Sequence, residues 1–392
     1  VNRARFSLFA YGFRPFFLAA GAYALVALAA WLWIYGNGGS VGVGMAPQHW
    51  HGHEMLFGFI GAAIGGFLLT AVPSWTGARG FAGRPLILVC LAWLAGRVAF
   101  LGAAWIPLPL LAVAELIFLP SLIALVAPPL LRERNRNTPL LIVLMVLWAT
   151  NVAFIVALAR MDVVLASAAL RTGINVVLLL VTVIGGRIVP SFTANALRAK
   201  GKAVAMRRIA WLEYAVIGLM AAIIVVDVVM PFSRTAAVVA GLAAIAQAVR
   251  MLGWQGHHTL NEPIVWVLHA AYVWLPIGLA LKCIALLTGA DWAAHWLHAL
   301  TIGVAAMMIL AVMTRASLGH TGRPLRVAGS IAMAYGLLIL AVTVRVFGPV
   351  IAPSAYLETV LTAGICWLLA FGIYVVVYAP ILARPRADGR PG

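Results

Sequence analysis

Nine histidines, at positions 49, 51, 53, 257, 258, 269, 295, 298 and 320, are the side chains of this sequence best suited to chemistry. Imidazole ligates metals and relays protons near neutral pH. His51 and His53 open one long apolar run and His295 and His298 open another. On a helix His51 and His53 would stand about 200° apart, so both cannot face one iron, whereas His295 and His298, three apart, share a face. His53 and His298 are expected at similar depth, and two imidazoles facing each other suit a bis-histidine haem iron. His51 is then left for a neighbouring metal. His49, His51 and His53 in an extended segment could together bind copper, or form a wet interfacial loop. His320 follows His298 by 22 residues. A continuous helix would separate the two by about 33 Å, so no single metal takes both. With His269, near the start of another run, His320 forms a second group at the opposite depth. His257 and His258 read as a solvated loop.

Other polar groups fall inside or at the edge of apolar runs, where a charge is costly unless paired. Glu54 adjoins His53 and is placed to orient a ligand or to donate a proton, the one catalytic role assigned here. Glu115 and Glu213 read either as partners of Arg97, Arg171 or Lys282 or as proton-relay groups. Arg187 and Arg315 end two runs; they are stop-transfer charges or planar donors to haem propionates. Met307, Met308 and Met313 read as packing. Cys90, Cys283 and Cys366 sit singly, without the spacing of a disulfide framework or a thiolate metal site.

The elements that must position these residues are membrane helices. Of the 392 residues 64% are hydrophobic and 9% charged, with a mean hydropathy of +1.05. Such a chain is not a water-soluble globule. The formal charge of +17 would suggest nucleic acid in a soluble protein, but these charges lie between apolar runs, so a bilayer accounts for them and no nucleic-acid partner is expected. Runs of the ~20 residues needed to span a hydrocarbon core of ~30 Å number twelve. They cover 15–36, 53–72, 85–103, 107–131, 138–159, 162–185, 209–230, 235–252, 264–288, 293–314, 325–347 and 355–381. The amino terminus (Arg3, Arg5, Arg14) and the even-numbered connections carry the arginines and lysines, and only Arg160 and Arg234 fall on the other side. The positive-inside rule therefore places both termini in the cytoplasm. The first run, without a cleavage site, is expected to be retained, and the longest connection, 186–208, leaves no room for a soluble domain.

The second, sixth and tenth runs end alike, in Val72-Pro-Ser-Trp-Thr-Gly77, Val189-Pro-Ser-Phe-Thr-Ala194 and Ser317-Leu-Gly-His-Thr-Gly322. His53, Gly58, Trp75, Thr76 and Gly77 match His298, Gly303, His320, Thr321 and Gly322 at identical offsets. The chain is thus expected to be a single all-α membrane domain built from three four-helix repeats, roughly 12–136, 137–250 and 251–392. That layout resembles the core subunit of the haem-copper oxidases, a likeness of fold alone.

Gly12-Phe-Arg-Pro-Phe-Phe17, Trp50-His-Gly-His-Glu-Met55, Gly66-Phe-Leu-Leu-Thr-Ala-Val-Pro73, Gly185-Gly-Arg-Ile-Val-Pro190, Trp266-Val-Leu-His269 and Met313-Thr-Arg-Ala-Ser-Leu-Gly-His-Thr-Gly-Arg-Pro324 together resemble the NnrS family. The resemblance implies a haem- and copper-containing protein of the bacterial inner membrane, associated with denitrification and nitrosative stress. It puts His51, His53, His269, His298 and His320 at motif positions without saying which hold haem and which copper. The expected function is a haem b oxidoreductase, with two haems, that binds nitric oxide and reduces it to nitrous oxide with electrons from quinol or a periplasmic donor. The rival readings are a non-catalytic haem or copper sensor or metal-handling protein, and a secondary transporter.

Overall fold

A hydrocarbon solvent offers nothing to an open backbone amide, so each apolar run must satisfy its own hydrogen bonds as a helix. The computed structural model describes residues 7–39, 45–202 and 204–390, and among them there are helices and no strand. Arg3 and Arg5, used above for orientation, lie outside the described residues. Twelve helices are long and apolar enough to cross a membrane: α1 Phe13–Asn37, α2 Pro47–Thr76, α3 Arg84–Leu101, α4 Leu108–Arg132, α5 Leu140–Arg160, α6 Val163–Ala199, α7 Ala210–Val229, α8 Arg234–Leu252, α9 Pro263–Thr288, α10 Asp291–His320, α11 Gly329–Ile351 and α12 Pro353–Ala383. Each expected run falls on one of them.

Differences at three of the ends bear on the candidate site. The helix of α2 starts at Pro47, so His49, His51 and His53 lie on helix rather than on an extended segment. Arg187 is within α6, which continues to Ala199, and α10 continues to His320. A cationic residue ends an apolar run without ending a helix, because arginine is a good helix former.

The chain folds as two compact units, one of Val1–Gly173, Ala316–Pro324 and Phe371–Gly392, the other of Ile174–Arg315 and Leu325–Ala370. In the first unit α3 shows how the helices are turned: Leu88, Leu91, Leu94 and Val98 are exposed, and Val89, Trp93, Arg97 and Phe100 are buried. Its apolar surface faces outward, as lipid requires, and its charge faces inward. In α4 the helix breaks between Leu116 and Phe118. Pro120 has no N–H for the Leu116 carbonyl, which accepts instead from the Trp148 indole at 3.1 Å. Arg14 of the Gly-Phe-Arg-Pro segment caps the end of α12, donating from Nη1 to the carbonyls of Leu382 at 2.8 Å and Arg384 at 2.7 Å.

A repeated device joins the helices. In each group of four, the third helix carries a charged residue near its C-terminal end that bonds to the second: Arg97 to Glu54, Asp227 to Asn175, and Arg345 to His295. The second and tenth spans share a local irregularity as well. A π-helical segment, Glu54–Ile60 or Ala299–Ala306, follows directly on His53 or His298. Within each, the matched glycine admits a ring: a Cβ on Gly58 would meet Tyr23 and one on Gly303 would stand 2.5 Å from Trp274.

Candidate functional site

Five consecutive helices of the first unit each send polar side chains into one buried cluster: Tyr23 from α1, His53 and Glu54 from α2, Arg97 from α3, Glu115 from α4 and Asn151 from α5. Arg97 donates from Nη1 to Glu54 Oε1 at 2.6 Å and from Nη2 to Glu115 Oε2. The Tyr23 hydroxyl donates to Glu54 Oε2, and Asn151 Nδ2 to Glu115 Oε1 at 2.8 Å. His53 places Nδ1 2.8 Å from Glu54 Oε1 and Nε2 3.0 Å from Asn151 Oδ1. Its ring stacks on Phe100 at 3.8 Å and on Phe154 at 4.7 Å, and His53 and Glu54 are both 0% exposed. Gly96 is required here, since a Cβ would stand 2.5 Å from Glu115 Oε2. His51 points elsewhere on the same helix, its ring stacked 4.7 Å from that of Trp31. The expected divergence of His51 and His53 is what helical geometry produces.

In the second unit the motif segments converge on α6. The Thr193 hydroxyl donates to the Val189 carbonyl and lies 2.8 Å from His269 Nε2. The hydroxyl has one proton; given to the Val189 carbonyl, it leaves His269 to donate from Nε2 and to keep its lone pair on Nδ1. Nδ1 faces the turn at Gly256, where a Cβ would stand 2.5 Å from it. One residue before Thr193, the Phe192 ring lies 4.0 Å beneath the Arg315 guanidinium. Arg315 is 9% exposed and, among the described residues, makes no hydrogen bond or ion pair. About two turns earlier, Gly185 and Gly186 receive the Tyr272 ring and the Arg250 guanidinium. Arg250 pairs with Glu213 and donates to the Thr182 carbonyl and the Tyr272 hydroxyl, both at 2.9 Å. Nearby in the chain, Lys282 and Asp227 form a buried pair at 2.5 Å, with Asn175 as a third member.

His320 ends α10 in the first unit. Tyr11 stacks against its ring at 6.3 Å and Phe13 lies 5.4 Å away. Its carbonyl accepts from Arg386 at 2.9 Å, and the Thr321 carbonyl accepts from the Ala387 amide at 2.9 Å. Arg386 pairs with Asp388 at 2.5 Å, and that bond holds the Asp388 carboxyl well below the usual carboxylate range. The ring nitrogens of His320 make no hydrogen bond among the described residues, and the residue is exposed.

A family profile described as "NnrS protein" matches residues 7–386, nearly the whole chain. The chain belongs to the NnrS family. No curated protein matches it. Membership fits a multi-pass membrane protein of the nitric oxide response.

The NnrS resemblance carries haem and copper with it, and the residues divide on whether they fit such groups. His53 does not fit an axial ligand: both nitrogens are bonded, and Phe100 is stacked on the ring. His269 retains a lone pair on Nδ1, and His320 has two unbonded nitrogens. Buried Arg315 fits an anionic group, because it is a guanidinium with no acid beside it. His298 is half-buried at the start of its π-helical segment, and Arg187 is exposed. His53 and His298 belong to different units. Among the described residues, no three His, Cys, Asp or Glu side chains gather as a metal-holding group.

Of the intramembrane acids, Glu54 and Glu115 share Arg97, whereas Glu213 takes Arg250, which is not among the partners Arg97, Arg171 and Lys282 expected for it. Sequence reasoning missed Tyr23, Asn151 and Asn175, single uncharged polar residues within apolar runs, which leave no periodic signature. Asp227 did leave one, as an acid near the end of an apolar run.

Proposed function

We propose that this NnrS-family protein is a haem-containing oxidoreductase of the bacterial cytoplasmic membrane. It binds nitric oxide and reduces it to nitrous oxide in nitrosative stress defence and denitrification. The observation that carries this reading is the uncompensated Arg315 guanidinium, beside the Phe192–Thr193 pair to which His269 is bonded. A buried cation without an acid calls for an anion, and a haem propionate beside an imidazole supplies one.

The overall reaction joins two NO molecules and consumes two electrons and two protons, giving N2O and water. Haem, when bound, supplies an iron with an open position and a path for electrons from quinol or a periplasmic donor. The chain's own residues do the rest. His269, His298 and His320 are the proposed imidazole ligands, with His51 kept for copper, and Arg315 and Arg187 hold carboxylates. Thr193 fixes the His269 tautomer so that Nδ1 is the nitrogen available to a metal. Glu54 and His53 Nδ1, 2.8 Å apart, hold a proton between them, the proposed source for the reaction.

A reduced-minus-oxidised spectrum with pyridine haemochrome and a copper-to-iron ratio tests this, beside His269→Ala and Arg315→Leu variants. The expected result is b-type haem in the wild type, lost or weakened in both variants while they remain folded, and NO consumption with a reductant in stopped flow. Haem without NO consumption would mean a sensor. Protein purified without iron from haem-replete cells would end the oxidoreductase reading.

A further inference from the structure

Every bond around His53 has a direction. Asn151 Nδ2 donates to Glu115 Oε1, so the atom it turns toward His53 Nε2, 3.0 Å away, is its carbonyl oxygen. A carbonyl has no proton to give, and Nε2 therefore carries one. Nδ1 stands 2.8 Å from Glu54 Oε1, an oxygen that already accepts from Arg97, and a second proton lies along that line. Neither nitrogen keeps a lone pair. The charges agree independently. Glu54 and Glu115 bring two negative charges and Arg97 one positive, and the proton shared by His53 and Glu54 closes the count at neutrality. A cluster this deeply buried requires that balance.

We infer that His53 is the hub of a charge-balanced lock joining α1 to α5, and that it gives no nitrogen to haem iron. The axial ligands then lie among the other imidazoles. The haem half of this inference rests on the function proposed above; the lock does not. An iron ligand must direct a lone pair at the metal, and here each lone-pair direction ends on a protein acceptor.

A double-mutant cycle on the purified full chain, read by thermal unfolding in detergent, tests the lock with His53→Gln, Asn151→Ala and the pair. Each single variant should unfold several degrees below wild type. The pair should fall little further than the worse single, because either change already opens the same network. Additive shifts would overturn the lock. Pyridine haemochrome tests the ligand assignment: folded His53→Gln should keep the wild-type haem-to-protein ratio and ferric EPR g values. Loss of one haem equivalent in His53→Gln, with Asn151→Ala retaining its haem, would overturn it. If His53→Gln does not fold, the cycle runs between Asn151→Ala and Tyr23→Phe, and unchanged g values in Asn151→Ala support the assignment where shifted ones refute it. Wild-type protein without haem refutes the proposed function and leaves the cycle to decide the lock.

Discussion

At the scale of single residues, the buried cations separate structure from function by their partners. Arg97, Arg250 and Lys282 each meet an acid, whereas Arg315 meets the face of Phe192. Removing a charge from a buried pair strands its partner. Arg97→Met leaves Glu54 and Glu115 facing each other and should destabilise the protein by about 3–5 kcal/mol. Arg97→Lys should recover only part of that, because a single ammonium nitrogen on a shorter head does not reproduce the separate Nη1 and Nη2 donors that reach Glu54 and Glu115. Thermal unfolding of both variants checks the order. Gly186→Ala drives a methyl into an Arg250 guanidinium that Glu213, Thr182 and Tyr272 hold in place, so a cost of about 1–3 kcal/mol is expected in the same assay. Asp388 gives a pH dependence outside the membrane. Its carboxyl is depressed in the folded state by the bond from Arg386, so the tail contact is fully present above the ordinary carboxylate pKa and lost as pH falls through the lower folded value. The tail should therefore stay clasped across the neutral and mildly acid range. Asp388→Asn should open it at any pH, seen as faster tryptic cleavage after Arg386.

At the scale of elements, the π-helical segments after His53 and His298 are the irregularities that a regular helix would not produce. Their glycines let Tyr23 and Trp274 pack against the wound backbone. Gly303→Ala should then cost about 1–3 kcal/mol through its clash with Trp274. Gly336 in α11 is the control, with open space where its Cβ would be. Gly336→Ala should be neutral or stabilising by up to about 1 kcal/mol, from the lower entropy of the unfolded chain. Equal effects of the two changes in thermal unfolding would contradict the close approach at Gly303. Bonds through Arg97 to Glu54, Asp227 to Asn175 and Arg345 to His295 each tie one helix to the helix before it.

At the scale of the whole molecule, an even number of helices long enough to cross a membrane, with arginines gathered on the even-numbered connections, leads us to propose that both termini face the cytoplasm. A fluorescent protein fused after residue 390 should fold and fluoresce, and alkaline phosphatase inserted at Asp162 should be active. The reverse pattern would invert the topology. The sequence by itself determined the membrane class, the number of helices, the family and the helical divergence of His51 from His53, because hydropathy and helical period are local properties of the chain. Only tertiary structure decided which charges meet. Nothing local to Arg250 names Glu213 and Tyr272 as its partners, and Tyr23 and Asn151 become partners of Glu54 and Glu115 only when neighbouring helices pack. The fate of His53 belongs to the same class: its spacing suits a metal ligand, but whether a nitrogen is free depends on distant acceptors that no local pattern encodes.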